Sequence, residues 1–549
     1  MPSVYSQGEA SKDASLSTPT RSKSLRKVLS SKLPGFAHAD RTDTSTPRGG
    51  VRSNGRDLPA GVTVDDSEIS KFNDKGNEFF GTGEYDAALR MYSEALKLLK
   101  QPTVIMNLDG DGNELMSEAM KRFRTARCLV NIGAVHIRRA DFDDAISALE
   151  LSLRQSKLVL PTSSLYNRVC EVKADAAENI GLVFFKQKDY ERCSVMYTDA
   201  LESRRKCLDL MEAKHKKWGR RSKDEVRQYN DERKAVMLEL SVTLFYMTLL
   251  QEKLGVMKGA VERCEEAIRI RREVIPDSKQ DPNSLNLFST IGRLYCHENV
   301  KRHGDALSYF CEVHRMKCDI LGIDHIDVVP SLNFLASIYK EIGDYKRSAV
   351  LSDRAIEIAT NGRGLNKETC IAYANKGDAL KYLKDYEKAI GSYETALKTQ
   401  SKLLDLNDMM NAEVLEKLAE AYLLSKDYEN AVSSGEKSLR VKMKNLGPES
   451  QVLASSHSKL GDIYEASGQH SNGIKCHTRA LRIFKHHDNK EMAATEHNKI
   501  ATILKTSGET SKAMEHYMAS LWHSREARLP STDPVVADTI RNVAAFQQV

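Results

Sequence analysis

Residues Thr369–Leu397 read TCIAYANKGDALKYLKDYEKAIGSYETAL. Small residues stand at Gly377, Ala389 and Ala396, and bulky ones at Tyr373, Leu380, Tyr386 and Tyr393. Apolar positions recur every three or four residues, the spacing of one helical face. Lys384–Asp385 interrupts the pattern midway. The stretch therefore predicts two antiparallel helices that approach closely where the small residues fall. One such hairpin cannot bury its apolar stripe alone and needs neighbours.

The chain supplies them. The slot of Gly377 recurs at Gly76, Gly133, Gly181, Thr248, Gly292, Ala336, Ala419, Gly461 and Ala501. Twelve residues on, the slot of Ala389 holds Ala88, Ala145, Cys193, Ala260, Ser348, Ala431, Gly473 and Ala513; Ala306 fits with two extra residues in the turn after Tyr295. Seven further on, the slot of Ala396 holds mainly alanine or serine, from Ala95 to Ser520. Three small slots kept in phase over ten places are the tetratricopeptide (TPR) pattern. From Thr248 to Ala501 the repeats step by 44, 44, 41, 42, 42 and 40 residues, against about 34 for the common repeat. The excess allows roughly one more turn per helix, at about 3.6 residues a turn.

The linkers Leu321-Gly322-Ile323-Asp324-His325, Leu446-Gly447-Pro448-Glu449 and Asp533-Pro534 each precede a renewed apolar run. With the long repeat, this resembles the TPR array of the kinesin light chain family, from about residue 283 onward. The resemblance implies an all-α fold, a right-handed superhelical solenoid of about ten helix pairs, closed by a capping helix at Val535–Phe546. It also implies a cargo adaptor for microtubule motor transport. Light chains join the motor through an N-terminal heptad segment, and residues 1–65 show no sustained apolar heptads. The first repeat, KGNEFFGTGEYDAALRMYSEAL, resembles the TPR domains of co-chaperones that clamp a partner's C-terminal carboxylate. The clamp's asparagines are present as Asn77 and Asn131, but its cationic positions are Asn73, Asp175 and Asn179. Without those cations the charge-assisted bonds of such a clamp are missing.

Four segments are expected: a disordered basic tail over 1–65, repeats one to three over 66–201, a charged helical extension over 202–235, and repeats four to ten with the cap over 236–549. The tail is rich in Ser, Thr, Arg, Lys, Gly and Pro, and lacks the apolar side chains that offset ordering entropy. Thr18, Ser22, Ser24, Ser30 and Thr46 are candidate phosphorylation sites in it, where phosphate would invert the local charge. The extension carries twelve Lys or Arg against seven Asp or Glu and centres on Lys214–Arg221, KHKKWGRR. A solvated basic tip on two lengthened helices is the favoured reading; nucleic-acid or membrane-surface contact is the alternative. Gln101–Thr125 reads as a turn-rich loop: Asp109-Gly110-Asp111-Gly112-Asn113 begins like a calcium loop, but Glu114 and Met120 replace its glycine and glutamate.

Net charge is +6, from 82 basic and 76 acidic residues, so the array has a mixed surface. Ten cysteines lie scattered without a CxxC pair, as buried cytosolic thiols would. No apolar run reaches the roughly 18 residues of a membrane span; Val236–Leu250 comes nearest and reads as a buried repeat helix. The expected location is cytoplasmic. Cys311, His314 and Cys318 share a helix face near Cys296, His297 and His303, but packed cysteines are favoured over zinc. No Walker loop, GxGxxG or nucleophile–base pair stands out. The expectation is no enzyme, no metal and no cofactor.

In such an array the first helix of each pair lines a groove. Its candidate contacts are Asn131, Asn179, Arg293, Asn333, Asn375, Lys381, Lys417, Lys459, Asn498 and Lys499, with Thr290 and Phe334 in the same slot. Asparagine can hydrogen-bond an extended backbone, and lysine favours acidic segments. The expected activity is a non-catalytic protein–protein scaffold binding extended or acidic peptides, with no small-molecule substrate.

Overall fold

The computed structural model describes residues 64–101, 104–108, 112–115, 117–217, 222–275, 281–361, 366–401 and 409–547. The candidate phosphorylation sites Thr18, Ser22, Ser24, Ser30 and Thr46 lie outside these, as do Gly219, Arg220 and Arg221. Among the described residues are 21 α-helices. They fall in two compact units, one up to Tyr309 and one from Phe310.

The first unit contains α1 (Asp66–Thr82), α2 (Tyr85–Leu99), α3 (Glu118–Arg139), α4 (Phe142–Lys157), α5 (Tyr166–Lys186), α6 (Tyr190–Lys217), α7 (Lys223–Lys253), α8 (Met257–Val274), α9 (Pro282–Tyr295) and the start of α10 (His303–Leu321). The second continues with α11 (Val329–Ile342), α12 (Tyr345–Asn361), α13 (Lys367–Tyr382), α14 (Tyr386–Gln400), α15 (Met409–Leu424), α16 (Tyr428–Asn445), α17 (Gln451–Ala466), α18 (His470–His486), α19 (Lys490–Thr506), α20 (Thr510–Glu526) and α21 (Pro534–Gln547). Ten pairs in sequence and a single last helix agree with the expected repeat count.

The hairpin turn is built by one left-handed residue. Lys384 has φ 65°, and the Asp385 N–H reaches back to the Leu380 carbonyl at 3.0 Å, closing the helix C-terminus. The Asp385 carboxylate then accepts from the Lys388 N–H and caps α14. Gly83, Gly255, Gly343, Gly468 and Gly508 take the same left-handed conformation after other first helices, and Ala140, Lys188 and Lys426 do so without glycine's freedom.

The small slots have a direct cause. A Cβ added at Gly377 would lie 2.6 Å from Cε1 of Tyr393, sixteen residues on. Gly76 stands so to Tyr92, Gly133 to Leu149, Gly181 to Tyr197 and Gly461 to His477. Each bulky side chain fills the notch its own first helix leaves. Where the third slot is serine, its hydroxyl bonds a carbonyl 26 residues earlier, as Ser152 to Ala126, Ser438 to Ala412 and Ser520 to Ala494. Cores span one hairpin and the first helix of the next: Tyr393, Ala389 and Ala396 pack with Val414, Leu418 and Ala421. Full burial of one such large side chain contributes about 1.5–3 kcal/mol.

The connection after α2 departs from expectation. It holds β2 (Val104–Leu108) paired antiparallel with β3 (Gly112–Leu115), and β1 (Val64–Asp65) runs parallel to β2. In sequence, an Asp-Gly pair after a β-branched run is hairpin chemistry, and the stretch is not loop throughout. The α3 helix also starts earlier than the expected repeat two, at Glu118 with Ser117 as its cap.

α6 and α7 are 28 and 31 residues long, against 14–22 for the others. By length and composition α7 is the one described helix that could cross a membrane. Its apolar stretch is instead packed within the unit, where Leu240, Leu244 and Leu250 are buried. Arg204, 1% exposed, sits at the base of this pair. It bonds Asp175 at 2.9 Å, Glu178 at 3.4 Å and the Thr243 hydroxyl at 2.8 Å, with Glu239 at 3.8 Å. Burial opposes the guanidinium charge, but the three carboxylates outweigh it and raise its pKa. Lys214 and Lys216 of the basic stretch are exposed.

The ten cysteines form no disulfide, and seven are buried. Burial pushes the Cys128 and Cys193 thiols up to about 12, which keeps them protonated and unreactive. Cys318 Sγ meets His314 Nε2 at 3.6 Å, while His314 Nδ1 is engaged by Ser331. Cys311 is exposed.

Candidate functional site

In the second unit the expected strip residues do not stand as separate charges. Lys381 of α13 pairs with Glu420 of α15 at 2.8 Å. Lys417 returns from α15 to Asp378 of α13, also at 2.8 Å. Lys459 of α17 lies 3.2 Å from Glu416 and 3.1 Å from Glu420. Lys499 of α19 is 2.7 Å from Asp462 of α17, and Asn498 donates to Asp538 of α21. Every bond joins the first helix of one repeat to the first helix of the next. The strip is a ladder of alternating cations and anions.

The amides are more deeply placed. Asn375, 6% exposed, donates to the Asn333 carbonyl at 3.1 Å. Asn333, 3% exposed, donates to the Glu368 backbone and carboxylate. Both fix the stacking of α11 on α13. In the first unit Asn179 is 4% exposed, Asn131 is half-buried, and Arg293 is paired with Glu252 of α7. Asn77 accepts from the Tyr92 hydroxyl at 2.7 Å, and Asp175 is held by Arg204. Two of the clamp-like positions are thus engaged inside the fold.

Residues 368–444 match the family model described as tetratricopeptide repeat. Over those residues the helix ladder is a tetratricopeptide-repeat array. Residues 409–534 also match the model described as soluble NSF attachment protein, SNAP. The array resembles that of kinesin light chains. Protein KINESIN LIGHT CHAIN-RELATED 1 of Arabidopsis thaliana is 31% identical over 100 residues, which is 18% of this chain and 16% of that relative's length. Among solved structures, BtubC (BKLC) from P. vanneervenii is 21% identical with TM-score 0.37, over 42% of this chain and 92% of that one. The TPR-like repeats of a putative kinesin light chain from Podosopora anserina are 17% identical with TM-score 0.35, over 38% and 99%.

Within the TPR array Asp378 is a hub that the strip pattern does not single out. It is 4% exposed and accepts from Tyr393 Oη at 2.6 Å, Lys417 Nζ at 2.8 Å and Lys340 Nζ at 3.4 Å. Burial alone would raise its carboxyl, but the Lys417 and Lys340 ammonium groups outweigh it and hold the pKa at about 2. The same balance holds Glu420 below the usual carboxylate range, and Lys459 above the usual lysine range. A sequence signal for these partners exists: opposite charges one repeat apart, such as Asp378 and Lys417, fall in adjoining first-helix slots.

A second regularity concerns the filler of the notch. Tyr92 bonds Asn77, Tyr393 bonds Asp378 and Tyr517 meets Thr502, each fifteen residues back. In the repeat of α17 and α18 the filler is His477, and Asp462 stands fifteen residues before it. The shorter imidazole leaves Nε2 3.7 Å from Asp462 Oδ1.

Proposed function

We propose that the chain is a non-catalytic interaction scaffold that docks extended peptide segments of protein partners along the first helices of residues 329–542. The carrying observation is the ladder itself. Lys381, Lys417, Lys459 and Lys499 are 12–29% exposed, so each ammonium is fixed by a carboxylate yet reachable from solvent. A partner carboxylate that shares such a lysine gains a pre-positioned donor without ordering a free side chain. Each added carboxylate also meets Asp378, Glu416, Glu420 or Asp462 nearby. The preference for acidic peptides is therefore small, within the 0.2–1 kcal/mol of about one exposed ion pair per contact.

The four-segment organisation belongs to this reading, with 202–235 as a charged extension between two repeat blocks. A motor-linked cargo adaptor is its more specific form, supported by the 31% identity to the Arabidopsis protein over 100 residues. Co-precipitation with a kinesin heavy chain tests that form.

The test of the general reading is a capture experiment with residues 66–549, compared with the Lys417→Ala, Lys459→Ala double variant. Asn375 is left intact because its side chain holds two helices together. Partners lost from a variant of unchanged helicity identify ligand and strip. Capture unaffected by the double variant refutes docking there, and equal binding of acidic and neutral peptides at low salt refutes the charge preference.

A further inference from the structure

We propose that His477, Asp462 and Glu465 form a binding site for a divalent first-row transition-metal ion of the zinc or manganese class. Asp462 and Glu465 lie three apart on one face of α17, and His477 reaches them from α18. One donor atom from each lies within 4.8 Å of the other two. An ion with bonds of about 2.0–2.2 Å holds such donors roughly 3–4 Å apart, so a small closure completes the set. One imidazole and two carboxylates on one side is a donor set suited to these metals, with remaining positions open.

The histidine gives the cluster its direction. His477 is 0% exposed, and its Nε2 has no hydrogen-bond partner. Its Nδ1 lies 2.8 Å from Glu496 of α19, a carboxylate also fully buried. Glu496 is itself fixed by the Ser458 hydroxyl at 2.5 Å. A carboxylate behind Nδ1 fixes ring orientation and directs the Nε2 lone pair outward, the outer-shell arrangement of metal-bound histidines. Gly461 admits the ring, since a Cβ there would meet Nε2 at 2.6 Å. Lys499 Nζ also holds Asp462, at 2.7 Å from Oδ1 and 2.8 Å from Oδ2. The ion shares that carboxylate with an ammonium, which lowers its affinity.

Full-length protein stripped with chelator is titrated calorimetrically with zinc or manganese chloride, and with cobalt(II) for its absorption spectrum. One saturable equivalent is expected to disappear in His477→Tyr. That variant restores the tyrosine of Tyr92 and Tyr393, so its circular dichroism should match the parent. Glu465→Gln, at a half-exposed position, should weaken binding at least tenfold and carries the test if His477→Tyr misfolds. Lys499→Met should tighten it. No saturable binding, an equivalent retained in His477→Tyr, or an affinity unmoved by Glu465→Gln or by Lys499→Met would overturn the site. None of these outcomes depends on peptide capture.

Discussion

Replacing Asp378 by Asn keeps the shape of the hub and removes its charge. The carboxyl is held at about 2 against an ordinary 3.8. A tenfold change in acidity corresponds to about 1.36 kcal/mol, so the ionised form contributes about 2 kcal/mol. The sign follows from the depressed pKa: the contribution is complete above pH 3.8 and is lost as pH falls through 2. Lys340 comes from α11, Tyr393 from α14 and Lys417 from α15, so the loss is felt over three repeats. A repeat array opens locally before it unfolds globally. Hydrogen exchange of α11, α13, α14 and α15 is therefore the assay. Amides there should exchange roughly thirty-fold faster at pH 7, while those of α19 and α20 change little. Urea unfolding at pH 2 should show parent and variant converging. An exchange change below about threefold at neutral pH, or a gap between the two proteins that persists at pH 2, would refute the reasoning.

Removing Arg204 leaves Asp175, Glu178 and Glu239 without their shared cation, at a cost of about 3–5 kcal/mol. Burial holds the Glu178 carboxyl up at about 7 even with Arg204 beside it; without that cation it rises further and costs stability as pH rises, so Arg204→Ala should melt closer to the parent at pH 5 than at pH 8. Gly377→Ala drives a Cβ into the Tyr393 ring and should cost about 1–3 kcal/mol. Gly391, in the next helix with nothing within 4 Å of its Cβ direction, should gain up to about 1 kcal/mol on the same change, and paired melts compare them. Reversing Lys216, Lys217, Arg220 and Arg221 to Glu should leave helicity unchanged and peptide capture intact. A steep salt-dependent RNA or anionic-vesicle affinity lost in that variant would redirect function to the extension.

The repeat was legible because close helix approach admits few residue types. Gly377, Ala389 and Ala396 mark the places where a larger side chain collides with Tyr393 or its equivalents, and the same exclusion acts in each hairpin. The strip was half legible. Lysines and asparagines repeat in phase, but their partners sit on another repeat some forty residues away, and no local pattern tells a solvated lysine from one clasped by Asp378. Asn333 and Asn375 look like groove donors by slot, yet their depth comes from the stacking of α11 on α13. The β2–β3 hairpin was hidden because Asp109–Asn113 fits two turn-rich readings, and pairing is a property of both strands. His477 stands in the slot that Tyr92 and Tyr393 fill elsewhere, which hides its chemistry, and Glu496 behind it belongs to the following repeat.

Lys381, Lys417, Lys459 and Lys499 bind neighbouring hairpins through partly exposed bonds that saline weakens, whereas each hairpin's own notch is filled by a buried ring such as Tyr393 or His477. Ionic strength therefore acts on the joints of the second unit and spares the segments between them. At about 0.15 M salt the Debye length is near 8 Å, longer than these contacts, so the joints stay engaged. At about 1 M it falls to 3 Å, the length of the contacts themselves, and each joint then rests on the apolar core that Tyr393, Val414 and Leu418 carry across it.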